Sequence, residues 1–167
     1  MAGHDTDRRA GWLLAGLIGG IALSYLWPAE EAKAVATDRE ERFAIATTDT
    51  GLGQPESVFV LDFLTGRLVG ATLNPQTAAF TNFYARNIAA DFQADAAAKP
   101  KYVMIPGRAD LTSGRGATTS AGVLYVGELT TGKVIAYRFP FRVSRTPVPI
   151  QPLDAFAFFP FREAVAE

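Results

Sequence analysis

The sequence contains no cysteine and one histidine, His4. The first absence excludes disulfides, thiolate nucleophiles and Cys-ligated metals. Because His4 lies in a short polar stretch at the N-terminus, the rest of the chain also lacks the means for a His-based zinc site, a Ser-His-Asp triad or an imidazole general base. Neither sign of charge is in marked excess, with 16 Lys and Arg against 17 Asp and Glu, so no basic field draws in nucleic acid. The inventory therefore points away from an enzyme, from metals and cofactors, and from a nucleic-acid partner. The 167 residues suit one domain with appendages.

A long apolar run is present once, in "AGWLLAGLIGGIALSYLW", residues 10–27. As a helix rising about 1.5 Å per residue it covers roughly 27 Å, close to the hydrocarbon thickness of a bilayer. Trp12 near one end, and Tyr25 and Trp27 near the other, suit the headgroup interface, and Pro28 marks the exit. The expectation is a transmembrane helix over 10–28, preceded by a cytoplasmic tail, 1–9, and followed by a charged stalk, 29–42. A cleaved signal peptide is the alternative, with Arg8 and Arg9 as its basic flank and a cleavage site among Ala32 to Ala36. The run exceeds the usual length of a signal core, which favours the anchor. Lys33, Arg39 and Arg42 nearly balance Arg8 and Arg9. The short tail is placed inside and the main domain in the periplasm or outside, on a cytoplasmic (inner) membrane. Gly16 and Gly20 form GxxxG, with Ala15 and Gly19 in the same register. Small residues at this spacing let a second helix approach, from another membrane subunit or from a copy of this chain.

Beyond the stalk the pattern alternates. "FAIAT" from Phe43, "SVFVLDF" from Ser57 and "RLVGATL" after Thr65-Gly66 read as strands, the last two joined by a tight turn at Gly66. The same order returns in "KYVMI" from Lys101, "GVLYVGEL" from Gly122 and "KVIAYRF" after Thr131-Gly132. Aligned at the turns, Asp62 matches Glu128, Thr65 matches Thr131, Gly66 matches Gly132, and Arg67 matches Lys133, at one constant offset. Two three-strand units can pack to bury faces that neither buries alone. Between them, Asn74 and Pro75 suit a helix start, and Phe80, Phe83, Tyr84, Ile88 and Phe92 recur at three- and four-residue steps. The spacing predicts a helix facing the sheets. The fold class expected is α+β, mainly antiparallel β, with duplicated three-strand units (βββ-α-βββ) over 43–141 behind a single N-terminal transmembrane helix.

The motif V-x-V-x-D-x-x-T-G-R-x-V, residues 58–69, resembles a single blade repeat of quinoprotein-type β-propellers. This chain has two units where a propeller has about four to eight blades, and it lacks the Trp that usually follows the Thr-Gly turn. The second unit, ending "LYVGELTTGKVIAYRFPF", is also similar to small membrane-anchored bacterial proteins. Neither resemblance implies an activity or a cofactor residue.

Three constellations carry possible chemistry. The loop "PGRADLTSGRGATTSAG", residues 106–122, offers backbone amides with Arg108, Ser113, Arg115 and Thr118 as a candidate anion nest, although it lacks P-loop spacing and leads into a strand. Asp62 and Glu128 would make a carboxylate pair if a two-fold arrangement joined them. Capture of each by its own turn amides and the nearby Thr hydroxyl is the simpler account. The Pro/Phe-rich tail, 142–167, concentrates Phe156, Phe158, Phe159 and Phe161. Such a cluster calls for cover, by folding back across its own sheet or by docking into a partner. The expected function is a non-catalytic single-pass membrane subunit or scaffold of a larger assembly. The alternative is a membrane-anchored extracytoplasmic ligand-binding or sensory domain using the loop 106–122.

Overall fold

The computed structural model describes residues 16–17, 37–39, 41–93, 99–109, 111 and 119–162. Of the expected membrane segment only Gly16 and Leu17 are described; both are helical and exposed, and a Cβ on Gly16 would meet nothing within 4 Å. Ala15, Gly19 and Gly20 lie outside the described residues. Among those residues no helix is long and apolar enough to cross a membrane.

Residues 35–167 form one compact unit, mostly antiparallel β. In chain order its elements are β1 (Thr37–Arg39), β2 (Phe43–Thr48), β3 (Ser57–Asp62), β4 (Arg67–Asn74), β5 (Ala79–Asn87), a single helical turn α1 (Ile88–Phe92), β6 (Tyr102–Arg108), β7 (Gly122–Glu128), β8 (Lys133–Arg138), β9 (Gln151–Pro152) and β10 (Asp154–Pro160). One sheet runs β1-β2-β3-β4-β5-β9 and the other β10-β8-β7-β6. Every pairing is antiparallel except that of β5 with β9.

Period-two burial builds the core. Ser57, Phe59 and Leu61 point inward from β3, and their faces join those of Leu68, Tyr84, Tyr102, Leu124, Val126 and Tyr137 in one cluster. Phe59 and Tyr84 flank Gly70 in register, and their rings stack with centroids 5.6 Å apart. A Cβ at Gly70 would enter the Phe59 ring. The missing side chain is thus the space that lets the neighbouring rings meet. Phe139 closes the cluster edge-on to both.

The sheets are sewn together where β2 ends. Gly122 donates its amide to the Asp49 carbonyl (2.7 Å), the Thr48 hydroxyl donates to the Gly107 carbonyl (3.3 Å), and Arg108 pairs with Asp49 (3.3 Å).

Three expectations are corrected. The predicted helix between the units is a strand, β5, followed by one helical turn. Asn74 does cap, through its Oδ1 accepting the Gln76 amide (2.8 Å), but what it caps is the β4–β5 turn. The pairing skips Thr81, since Leu73 faces Phe80 and Thr72 faces Asn82. This bulge turns Phe80 out to 47% exposure while Tyr84 stays in the core. Within the stretch read as a charged stalk, residues 37–39 instead pair with β2 as an edge strand, and residues 29–36 lie outside the described residues. Finally, Pro106 to Arg108 belong to β6 and not to a loop. The tail folds back, as one of its two alternatives held, and adds a strand to each sheet.

Candidate functional site

The two hairpin carboxylates serve their own turns. Asp62 accepts the Leu64 amide (2.9 Å) and the Thr65 hydroxyl (2.7 Å), and the Thr65 bond leads in holding its carboxyl below the ordinary value. Glu128, fully buried, accepts the amides of Thr130 (2.9 Å), Thr131 (2.5 Å) and Lys101 (3.0 Å). Burial pushes its pKa up, but these amides outweigh burial and bring it to about 2. Gly66 and Gly132, at φ 62° and 72°, donate to the carbonyls of Asp62 and Glu128. Both groups act as turn locks, and neither has the raised pKa of a general acid.

A second polar cluster lies at the β5–α1 corner. Arg86 makes a bidentate pair with Asp91, Nε–Oδ2 2.6 Å and Nη2–Oδ1 2.7 Å, and its Nη1 donates to the Leu153 carbonyl at 2.6 Å. The Tyr137 hydroxyl donates to Asp91 (3.0 Å). Burial and the Asp91 charge push the Tyr137 pKa up, and the Asp91 bond pushes that of Arg86 up, so at neutral pH Tyr137 keeps its proton. The cluster clamps β5, α1, β8 and the tail together. Among the described residues no group of His, Asp and Glu gathers to hold a metal.

Among the described residues, a cavity and a strand edge offer surface for a ligand or partner. The first is a cavity of about 290 Å³ between the β4–β5 turn, the 53–55 loop and the chain at 141–144. Its polar lining includes Gln54, Thr72, Asn74, Gln76, Asn82 and Ser144, and Phe141 supplies an aromatic wall. The bulge at Thr81 buries both Thr81 and Asn82. Three bonds tie the proline-rich strap to this hairpin: Asn74 Nδ2 to Ser144 O (2.6 Å), Asn82 Nδ2 to Arg142 O (3.2 Å), and Val148 N to Thr81 O (2.8 Å). Because the Asn82 amide nitrogen is committed to the strap, its Oδ1 is left buried with no partner. An orphan acceptor of this kind costs about 1–3 kcal/mol.

The second surface is strand β10, the outer strand of the four-stranded sheet. Phe158 is 75% exposed, Phe159 52% and Phe161 40%. Phe156 is half-buried beside the register shift between Ala155 and Ala157, and Arg138 stacks over its ring at 5.6 Å. Since the Phe161 amide points inward to Gly132 O (2.8 Å), alternation aims the ring nitrogen of Pro160 at the free edge, where it removes a donor without breaking the inner ladder.

The residues singled out from sequence are therefore divided. The four tail phenylalanines cluster on and just beyond one strand. Arg108 is engaged by Asp49, and Ser113, Arg115 and Thr118 lie outside the described residues. Sequence reading missed the cavity, whose only legible signal was the density of Asn, Gln and Thr between positions 72 and 82. No family model, curated protein or solved structure matches this chain.

Proposed function

We propose that this chain is a non-catalytic, single-pass membrane subunit or scaffold of a larger assembly. In this reading residues 10–28 anchor it in a cytoplasmic membrane with the β unit in the periplasm or outside, and the GxxxG face packs against another helix. The two Thr-Gly hairpins are read as a duplicated unit. The observation that carries the proposal is the exposure of Phe158, Phe159 and Phe161 at an unpaired sheet edge. Edge strands with apolar side chains bind extended segments by strand addition, where backbone bonds give affinity and side-chain contacts give specificity. The Phe158 backbone and the Pro160 carbonyl supply the polar part of such a contact. The partner is accordingly an extended, apolar segment of another subunit.

The test is mild-detergent extraction of the full chain from its own membranes followed by size analysis, wild type beside Phe158→Asp. The expected result is a large complex from which the folded variant is lost. Wild-type protein running alone would overturn the proposal.

A further inference from the structure

The cavity at the β4–β5 turn has a separate use. We infer that it binds a neutral polyhydroxyl ring, either a free monosaccharide or the terminal ring of a glycan. None of the described residues that line it is charged, so a phosphate, carboxylate or ammonium entering it would lose hydration without gaining a counter-charge from them. A neutral ligand carries no such penalty. Asn82, 1% exposed, forms part of the wall, and its Oδ1 is buried behind that wall without a partner in the chain. At the rim, the exposed amides of Gln54 and Gln76 each carry a donor and an acceptor, the combination that matches hydroxyls, which also both donate and accept. Phe141, Pro55 and Leu73 complete the lining with apolar surface, suited to the C–H face of a sugar ring. The volume of about 290 Å³ lies at the small end of ligand pockets and fits one or two rings. Finally, three bonds of the chain itself hold the strap to the hairpin, which fixes the walls and leaves little ordering to oppose binding.

The test is equilibrium binding to the full-length protein, followed by saturation-transfer NMR and thermal shift, with glucose, galactose and N-acetylglucosamine as probes. Oligosaccharides ending in the same rings, neutral trialanine and inorganic phosphate complete the set. At least one sugar is expected to saturate with a dissociation constant of about 1 mM or tighter, while trialanine and phosphate do not bind. Leu73→Trp, at a half-exposed wall position, should fill the cavity and weaken binding at least about tenfold with the fold intact. Gln76→Ala, on the exposed rim, should weaken it several-fold without a change in melting temperature, which keeps the test valid even if Leu73→Trp disturbs the fold. An oligosaccharide binding as tightly as its free ring assigns the site to glycan ends, and a free ring binding alone assigns it to monosaccharides. No saturable sugar binding, sugar binding indifferent to Leu73→Trp, or a preference for trialanine would overturn the inference.

Discussion

Arg86 donates Nη1 to the carbonyl oxygen of Leu153 at 2.6 Å, at the residue where the C-terminal chain leaves β9 in one sheet and enters β10 in the other. The same guanidinium grips Asp91, and Asp91 receives the Tyr137 hydroxyl. One side chain thereby fixes the crossing of the tail between the sheets.

Arg86→Met should destabilise the protein by about 2–3 kcal/mol, because it strands a largely buried carboxylate and a carbonyl together. Arg86→Lys should recover only part of this, since an ammonium cannot form the two-pronged contact. Urea unfolding of the single variants and of Arg86→Met with Asp91→Ala should show strong non-additivity. Additive costs would mean that the pair is not coupled.

Glu128 should govern the acid limb of stability. Its folded pKa of about 2 lies below the ordinary 4.5, so its contribution is fully present above pH 4.5 and is lost as pH falls toward 2. The shift corresponds to roughly 3 kcal/mol. Denaturation midpoints measured across that window should fall in the wild type and flatten in Glu128→Gln. Asp62→Asn, at a more exposed turn, should change the profile much less.

Leu153→Ala should cost about 2–5 kcal/mol, because the side chain is fully buried between the sheets. Phe158→Ala, five positions on in the same tail, should stay within about 0.5 kcal/mol of wild type. Thermal or chemical denaturation of the two variants would separate the part of the tail that builds the core from the part that faces outward. Equal effects would contradict this division.

Gly70→Ala should destabilise by about 1–3 kcal/mol through overpacking against Phe59. Phe59→Leu in that background should relieve part of the cost, giving a coupling energy that a double-mutant cycle reads directly. A Gly70→Ala variant as stable as wild type would show that the ring has room to move.

The six strands predicted from alternation, beginning near Phe43, Ser57, Arg67, Lys101, Gly122 and Lys133, all form. They were legible because half-buried strands and Thr-Gly turns leave local signals: period-two apolarity, a carboxylate before the turn, and a glycine at positive φ. The bonds of Asp62 and Glu128 to their own turns were legible for the same reason, since those partners lie within three residues, whereas the Lys101 amide that Glu128 also accepts comes from a distant strand and was not.

The segment 79–87 was not, because its apolar residues offered two readings. Residues four apart lie close to one face of a helix and also share parity along a strand, so Phe80, Tyr84 and Ile88 fit either. Pairing with β4 decided for the strand, and the bulge at Thr81 broke the parity by sending Phe80 outward.

The sequence by itself determined the six alternating strands, the absence of thiol and imidazole chemistry from the β unit, and the turn amides that hold Asp62 and Glu128. Only the tertiary structure decided that Asn82 lines a cavity, that Arg86 clamps Leu153, and that the tail joins both sheets. The first two rest on hydrogen bonds between residues about 60 or more positions apart and the third on strand pairing across the sheets, and no local pattern encodes which distant partner a group will reach.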